Sequence, residues 1–199
     1  IAGANKAFTE LVERTQIPVV TTIMGRGAIP TTHPLFIGNL GMHGAYASNM
    51  AVEECDLLFS IGTRFNDRIT GKLHAFAPKA TIVHIDIDTS SISRNIQVDI
   101  PIVADAKEAI EKLLEYVEPI EKKESWMEQI EGWKEEHPLR MKPKGDQMQA
   151  QDILETINEV FKDDDKIVVT DVGQHQMFTS QYLEVNEKTR LYMSGGLGT

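Results

Sequence analysis

The chain has 199 residues, of which 41% are apolar, enough for one well-packed core or two small ones. Its net charge of -10 argues against a nucleic-acid-binding surface. No stretch approaches the ~20 consecutive apolar residues that a membrane span needs. The single cysteine, Cys55, excludes an internal disulfide and fits a reducing cytoplasm. We interpret Cys55 as a small buried hydrophobe rather than a catalytic thiol.

Apolar periodicity predicts alternating helices and strands over the first 120 residues. The predicted helices cover residues 4–16, 45–54 and 106–116, the first with one apolar face made of Ala7, Phe8, Leu11 and Val12. The predicted strands cover residues 18–22, 56–62, 81–88 and 101–104. Residues 25–44 are predicted to form a long loop region. This alternation implies βαβ units and a Rossmann-like, mainly parallel sheet flanked by helices.

The composition changes near residue 118, where the chain becomes rich in Glu, Lys and Pro. Trp126, Ile130 and Trp133 recur there at helical spacing, which predicts a linker with an amphipathic helix whose tryptophans anchor it on a domain surface. A predicted helix at residues 151–161 and a strand at 166–169 then open a new α/β unit. We therefore divide the chain into a central domain (1–120), a linker (121–150) and the start of a second α/β domain (151–199).

Two glycine-containing segments of the central domain are candidate ligand loops. Gly62-Thr63-Arg64-Phe65-Asn66-Asp67-Arg68 follows a strand, and its two arginines suit bidentate contacts to a diphosphate. The alternative is a surface turn with an Asp67–Arg68 ion pair. Leu40-Gly41-Met42-His43-Gly44 suits a backbone that passes close to a flat or charged ligand, the alternative being a loop with an ordinary surface histidine. Neither segment is a GxGxxG fingerprint, and there is no Walker A pattern.

A third candidate is the acidic end of the strand at residues 81–88. Asp86 at a strand end suits hydrogen bonds from ribose hydroxyls, whereas Asp88 is predicted to be the N-cap of a following helix. Asp86 and Asp88 are expected on one face, where a metal is conceivable, and His84 is expected on the other face in a structural role.

The fourth candidate follows the apolar run at residues 166–169. Gly173-Gln174-His175 opens a predicted helix, whose free backbone N–H groups with amide and imidazole donors would form an anion site. The alternative is a plain strand–helix turn. The chain ends in a glycine-rich stretch, Ser194-Gly195-Gly196-Leu197-Gly198-Thr199, without the helix or strand that such a loop should lead into. The chain begins with Ile1 and not with Met. We therefore expect that both ends are trimmed and that the chain is a piece of a larger enzyme.

In chain order these motifs resemble the family of acetolactate synthase (acetohydroxyacid synthase) large catalytic subunits, which are thiamine-diphosphate enzymes. The resemblance covers residues 1–199, and the Gly-Met-His-Gly and Asp-Val-Gly-Gln-His-Gln segments are its most specific parts. Its other segments are Ile17-Pro18-Val19, Met24-Gly25-Arg26-Gly27, the 62–68 turn, His84-Ile85-Asp86 and the 194–199 glycine stretch. The family's three α/β domains imply that this chain holds most of the central one and the opening third of the diphosphate-binding one.

The resemblance also implies cofactor contacts. In the family the central domain holds FAD, which does no net redox work. The flavin contacts implied by the match are Thr22, Ile23, Leu40, Gly41, Met42, His43, Gly62, Thr63, Arg64, Asp67, Arg68, Asp86, Ile87, Asp105 and Ala106. The implied contacts to thiamine diphosphate are Val172, Gly173, Gln174, His175 and Gly198, with Gln174 and His175 on the phosphates and Gly198 near the aminopyrimidine.

The implied reaction is the decarboxylation of pyruvate and condensation of the resulting two-carbon unit with pyruvate or 2-oxobutyrate, in valine, leucine and isoleucine biosynthesis. Such an enzyme requires thiamine diphosphate, Mg²⁺ and FAD, and works in the cytoplasm as a homodimer or homotetramer with a small regulatory subunit. The family's catalytic glutamate lies on a domain outside this chain, and its Gly-Asp-Gly…Asn metal motif follows Thr199. We find no catalytic residue or metal ligand set in the chain, and expect it alone to be inactive and to bind little thiamine diphosphate.

Two other interpretations stay open. One is a related thiamine-diphosphate enzyme, of the pyruvate oxidase, glyoxylate carboligase or catabolic acetolactate synthase type. The 62–68 turn and Gly-Met-His-Gly favour the biosynthetic type, although Asn66 stands where many relatives have Asp. The other is a non-catalytic nucleotide-binding module, against which the glycine-rich end of the chain counts.

Overall fold

The computed structural model describes residues 2–143 and 145–195, in which helices and strands alternate. The helices are α1 (Asn5–Thr15), α2 (Tyr46–Glu54), α3 (Asp67–Thr70), α4 (Ala106–Leu114), α5 (Glu124–Glu136), α6 (Ala150–Val160) and α7 (Gln174–Tyr182). The strands are β1 (Val19–Thr21), β2 (Phe36–Asn39), β3 (Leu57–Ile61), β4 (Thr81–Asp86), β5 (Ile100–Val103), β6 (Lys166–Thr170) and β7 (Thr189–Met193). Short 3-10 turns occupy Ile23–Gly25 and Leu73–Ala75.

Every strand pair in the described residues is parallel, which confirms the predicted α/β class. The strands pair as β1–β2, as β3–β4–β5 with β4 in the middle, and as β6–β7. In the middle sheet Ile61 lies opposite Ile85, and Asp86 lies opposite Val103. The carboxyl ends of these three strands are therefore level, and the loops that follow them meet at one edge.

The first core joins α1, β1 and the linker helix α5. Val12 of α1, Val19 of β1 and Ile130 of α5 are buried together, and Ile130 is 0% exposed. Trp126 and Trp133 pack against this cluster, edge to face at 5.7 Å between ring centroids. The tryptophans thus act as apolar anchors, as their helical spacing predicts.

Two smaller clusters bury further apolar side chains. One lies against the β3–β4–β5 sheet and consists of Phe65, Ile82, Ile96 and Val98. The other lies beside α6 and α7 and consists of Leu154, Leu183 and Val185. No helix in residues 2–143 and 145–195 is long and apolar enough to cross a membrane.

Two strands were not predicted. Residues 25–44 are not one long loop, because they contain β2, which pairs with β1. β7 pairs with β6 along its whole length, although its sequence mixes Thr and Arg with apolar residues. β2 is short and holds a glycine, and β7 mixes polar with apolar residues, so their local patterns are weak and the hydrogen bonds from a distant partner decide their conformation.

Candidate functional site

The loops at the carboxyl edge of the middle sheet lie side by side. The backbone N–H of Gly62 donates to the carbonyl of Ile85 at 2.8 Å, and that of Ala104 donates to the carbonyl of Asp86 at 3.2 Å. These bonds bring the segments after β3, β4 and β5 together. Open α/β folds place their ligands in the crevice outside such strand ends.

The turn at residues 62–68, here named the arginine turn, presents its charges outward. Arg64, Asp67 and Arg68 are exposed, whereas Phe65 is 3% exposed and packs edge-on against His84 at 5.0 Å between ring centroids. Among the described residues no ion pair involves Arg64, Asp67 or Arg68, so the alternative of an Asp67–Arg68 ion pair is wrong. The buried phenyl ring anchors the turn and leaves both guanidinium groups available to a ligand.

Residues 40–44, here named the flavin loop after its predicted ligand, pack on the arginine turn. The backbone N–H of Met42 donates to the carbonyl of Arg68 at 2.9 Å. A Cβ on Gly41 would lie 2.4 Å from that carbonyl oxygen, and one on Gly44 would lie 2.3 Å from the Asn39 carbonyl oxygen. Glycine is therefore required at both positions because the chain's own backbone passes close by. This explanation differs from the predicted close approach of the backbone to a ligand.

The exposed part of the flavin loop is its tip. Met42 is 63% exposed and His43 is also exposed, while Asn49 on α2 holds Gly41 by two hydrogen bonds, of 2.8 and 3.1 Å. The loop starts beside the end of β1, because Leu40 N–H donates to the Thr21 carbonyl at 2.8 Å. The tip thus presents an apolar and an aromatic side chain to solvent.

Thr22 and Ile23 are the predicted flavin contacts that follow β1, and both are half-buried. Thr22 Oγ1 accepts a hydrogen bond from Gly25 N–H at 3.0 Å and so caps the 3-10 turn that contains Ile23. Thr22 and Ile23 therefore adjoin Leu40 at the same strand edge, with the Thr22 hydroxyl already engaged as an acceptor.

Asp86 and His84 lie on the same face of β4, so the prediction that His84 faces away from Asp86 is wrong. Side chains alternate along a strand with a period of two, which places residues 84 and 86 together. His84 Nε2 lies 3.6 Å from Asp86 Oδ2, and the imidazole is fully buried. Burial lowers the pKa of His84, and the Asp86 carboxylate and the Thr63 backbone partly oppose this shift. His84 thus connects the arginine turn to the β4 carboxylate.

Asp88 was predicted to cap a helix, and this is also wrong, because β4 ends at Asp86 and a turn follows. Asp88 accepts hydrogen bonds from Ser90 and Ser91, which lower the pKa of its carboxyl. Asp86 Oδ1 accepts the Asp88 backbone N–H at 2.8 Å. Between the two carboxylates, the side chain of Ile87 is 71% exposed.

Asp105 and Ala106 follow β5 at the same edge. Asp105 Oδ1 accepts hydrogen bonds from the backbone N–H groups of Lys107 and Glu108, at 2.8 and 3.4 Å, and is the N-cap of α4. Ala106 is the first residue of that helix. The capping role explains why an aspartate stands here, and a ligand contact would have to use the other carboxylate oxygen.

The second unit offers a helix start that no side chain caps among residues 2–143 and 145–195. Gly173 precedes α7 with φ 151°, in a conformation that a side chain rarely adopts. Gln174 and His175 are exposed, as is Val172, and the first turn of α7 contains no acidic residue. The first N–H groups of α7 are therefore open to an anion. Gly198 lies outside the described residues.

No group of three His, Cys, Asp or Glu side chains suited to a metal ion occurs in residues 2–143 and 145–195. Cys55 is half-buried at the end of α2, where its thiol donates to the Val52 carbonyl at 3.2 Å. It precedes β3 and so lies at the opposite end of that strand from the arginine turn.

Cys55 is expected to react slowly with maleimides at neutral pH. Burial, together with the Asp56 charge, raises the pKa of the thiol to about 11. Because the thiolate is the nucleophile, the labelling rate of the folded protein should keep rising up to that pH. The urea-unfolded chain should instead level off above about pH 8.5. A folded-state rate that levels off with the unfolded one would contradict the prediction.

Parallel strands that bring two arginines and a carboxylate to one edge are characteristic of a cofactor-binding α/β protein. Residues 1–113 match the family model described as thiamine pyrophosphate enzyme, central domain, and the chain belongs to this family.

Similar proteins agree with this assignment along the whole chain. The chain is 41% identical over 204 residues to the acetolactate synthase isozyme 3 large subunit of Escherichia coli K12, and 44% identical over 206 residues to a probable acetolactate synthase large subunit of Methanocaldococcus jannaschii. It is 38% identical over 198 residues to the acetolactate synthase large subunit of Lactococcus lactis. All of this chain is covered in each comparison, but only 35%, 35% and 34% of the relatives. The chain therefore spans about a third of their length.

Sequence reasoning assigned no role to a half-buried arginine and a buried asparagine near the flavin loop. Arg26 and Asn39 are hydrogen-bonded to each other and to the backbone of α7 and its cap. Arg26 lies in the Met-Gly-Arg-Gly segment of the family resemblance, and this was the one sequence signal that pointed to it. The Leu183 carbonyl lies 157 residues from Arg26, and the Ser180 carbonyl lies 141 residues from Asn39, so no local pattern indicates these partners.

Proposed function

We propose that the strand-end crevice of the first unit binds FAD. The observation that carries this proposal is that the flavin loop packs on the arginine turn, which lies with Asp86 at the carboxyl edge of the middle sheet. Arg64 and Arg68 of this turn are exposed and form no ion pairs among the described residues. The guanidinium groups supply bidentate donors for a diphosphate. The Asp86 carboxylate supplies an acceptor for ribose hydroxyls.

The surface around these polar groups suits a flat aromatic cofactor. Met42 and Ile87 are exposed apolar side chains at the crevice. A Cβ on Gly62 would meet no atom within 4 Å, so the backbone there faces open space. Apolar walls with a few convergent polar groups are the usual composition of a cofactor site. Thr22, Ile23, Leu40, Thr63, Asp67, Asp105 and Ala106 belong to the same proposed site.

We propose that the start of α7 binds the phosphates of thiamine diphosphate, the cofactor for which the family is named. Its free N–H groups and the exposed side chains of Gln174 and His175 are hydrogen-bond donors. Together they would hold an anion although the site itself carries little positive charge. Val172, Gly173 and Gly198 complete the proposed contact set. Mg²⁺ would be held with the diphosphate by ligands outside residues 2–143 and 145–195, where the structure shows no suitable cluster.

We propose that the whole enzyme is an acetolactate synthase, because the relatives that the chain matches carry that name and the chain spans about a third of their length. Bound thiamine diphosphate supplies the electron sink that the decarboxylation of a 2-oxo acid requires. The residues described here would bind and orient the cofactors. Pyruvate and 2-oxobutyrate as substrates, a homodimer or homotetramer, a small regulatory subunit and a cytoplasmic location belong to the same proposal.

We propose that the chain divides into three parts. Residues 1–120 would form the FAD-binding domain, residues 121–150 the linker, and residues 151–199 the start of the diphosphate-binding domain. The family model, which covers residues 1–113, supports the first boundary.

Replacing Arg64 with Ala is expected to weaken FAD binding by about tenfold or more, the loss typical of a charge-assisted hydrogen bond. The measurement is a flavin-fluorescence titration of the purified protein. Arg190→Ala removes an equally exposed arginine from β7 in the second unit and should leave the dissociation constant unchanged. Saturable binding that Arg64→Ala does not weaken would contradict the proposed site.

A further inference from the structure

Arg26 is a charged side chain that is largely buried without a counter-ion. In the described part of the chain no carboxylate lies within 4.0 Å of its guanidinium, which stacks over the ring of Phe36 at 5.9 Å from the centroid. Burial lowers the pKa of Arg26 to about 10, so the group stays protonated at neutral pH. A buried charge needs a partner, and the partner here is not an acidic side chain.

The partner is the carboxyl end of α7. Arg26 Nη2 donates to the Leu183 carbonyl at 2.5 Å, and Nη1 donates to Asn39 Oδ1 at 3.2 Å. Asn39 in turn donates from Nδ2 to the Ser180 carbonyl at 2.6 Å. The last carbonyls of a helix lack intrahelical partners and carry the negative end of the helix dipole. The guanidinium and the amide therefore cap α7 from a residue pair in the first unit.

The same helix also contacts the flavin loop. Gln181 Nε2 donates to the His43 carbonyl at 3.0 Å. Two further bonds, of 2.8 and 2.9 Å, join Thr31 to Val185 just beyond the helix. The end of α7 that bears these contacts lies about two turns from Gly173 and the proposed phosphate contacts. One short rigid helix thus connects the proposed diphosphate site with the proposed flavin site.

We propose that Arg26 and Asn39 are positioning residues that hold α7 against the flavin loop, so that FAD binding strengthens the binding of thiamine diphosphate and the reverse. The inference rests on the proposed function for the identity of the two ligands. Neither residue is among the proposed cofactor contacts. Each acts through α7, whose placement sets the direction of the free N–H groups at its start. Coupling of this kind is reciprocal between the two ligands.

The test uses an enzyme of the relatives' full length that carries this sequence. Thiamine diphosphate is titrated with and without saturating FAD, and the ratio of the two dissociation constants measures the coupling. We expect a ratio of about fivefold or more in the unmodified enzyme. Arg26→Met should bring the ratio close to one, while FAD affinity measured alone changes by less than about twofold. Arg26→Lys, which keeps the charge but has one donor nitrogen, should restore part of the coupling.

Arg14→Met is the matched control. Arg14 also donates to a carbonyl at a helix end, that of Leu114 at 3.0 Å, but both partners belong to the first unit. The coupling ratio of this variant should equal that of the unmodified enzyme. Gln181→Ala, which removes a partly exposed side chain and does not threaten folding, should lower the ratio if Arg26→Met proves unstable.

The inference would be overturned if Arg26→Met retained the coupling. It would also be overturned if the unmodified enzyme bound both cofactors without any coupling. An unmodified enzyme that binds neither cofactor would instead contradict the proposed function. Hydrogen–deuterium exchange of residues 174–185 tests separately whether Arg26 holds α7 in place. Faster exchange in Arg26→Met than in Arg14→Met supports the inference that Arg26 holds α7 in place. Equal exchange in the two variants refutes it.

Discussion

Replacing Ile130 with Ala is expected to lower the free energy of unfolding by about 2–5 kcal/mol, the range for truncating a fully buried isoleucine. Ile130 is 0% exposed and lies with Val12, Ala51 and Met127 in the first core, although it comes from the helix between the two units. The cost combines lost burial of the side chain with a cavity that the neighbouring helices and strands fill only in part. Chemical unfolding followed by tryptophan fluorescence measures it, because Trp126 and Trp133 pack on the same cluster.

Ile120→Ala is the control for this experiment. Ile120 is 52% exposed, and its backbone hydrogen bond to the Arg14 carbonyl survives the substitution. A loss of about 0.5 kcal/mol or less is expected there. Equal losses for the two variants would show that α5 does not belong to the core of the first unit, and the packing described here would then be wrong.

Replacing Gly41 with Ala is expected to destabilise the protein by about 2–4 kcal/mol and to abolish saturable FAD binding. The added Cβ would lie 2.4 Å from the Arg68 carbonyl oxygen, and the backbone at φ +101° disfavours any side chain. The obstacle is backbone, so relief requires the flavin loop and the arginine turn to separate. The measurements are the melting temperature and the flavin-fluorescence titration.

Gly132→Ala is the matched substitution. Gly132 lies within α5, and a Cβ there meets no atom within 4 Å. Alanine in that helix should raise the free energy of unfolding by about 0.5–1 kcal/mol, because glycine loses more backbone entropy on folding. FAD affinity should not change. If Gly41→Ala binds FAD like the unmodified protein, the contact between the two loops does not shape the site.

Much of the fold follows from local patterns in the sequence. The apolar runs at residues 56–62, 81–88 and 166–169 predicted β3, β4 and β6, and the glycine before Gln174 predicted the start of α7. These patterns suffice because a buried parallel strand needs an apolar run, and a loop that begins a helix favours glycine. β2 and β7 lack such runs, and the strands that pair with them decide their conformation.

The errors at the end of β4 have different causes. The placement of His84 opposite Asp86 misapplied a period of two that the sequence already contains. The helix expected after Asp88 rested on a capping residue alone, whereas Ser90 and Ser91 supply local hydrogen bonds that favour a turn. A cap predicts a helix only when an amphipathic pattern follows it.

By itself the sequence determined the parallel α/β class, the order of the candidate loops and the family to which the chain belongs. It also suggested that Gly41 and Gly44 suit a backbone passing close to a ligand, with an ordinary loop as the alternative. The tertiary structure showed that these glycines instead pack closely against the Arg68 and Asn39 backbone, and that Arg26 meets the carboxyl end of α7. Contacts between residues far apart in the chain depend on how whole elements pack, and no local pattern carries that information.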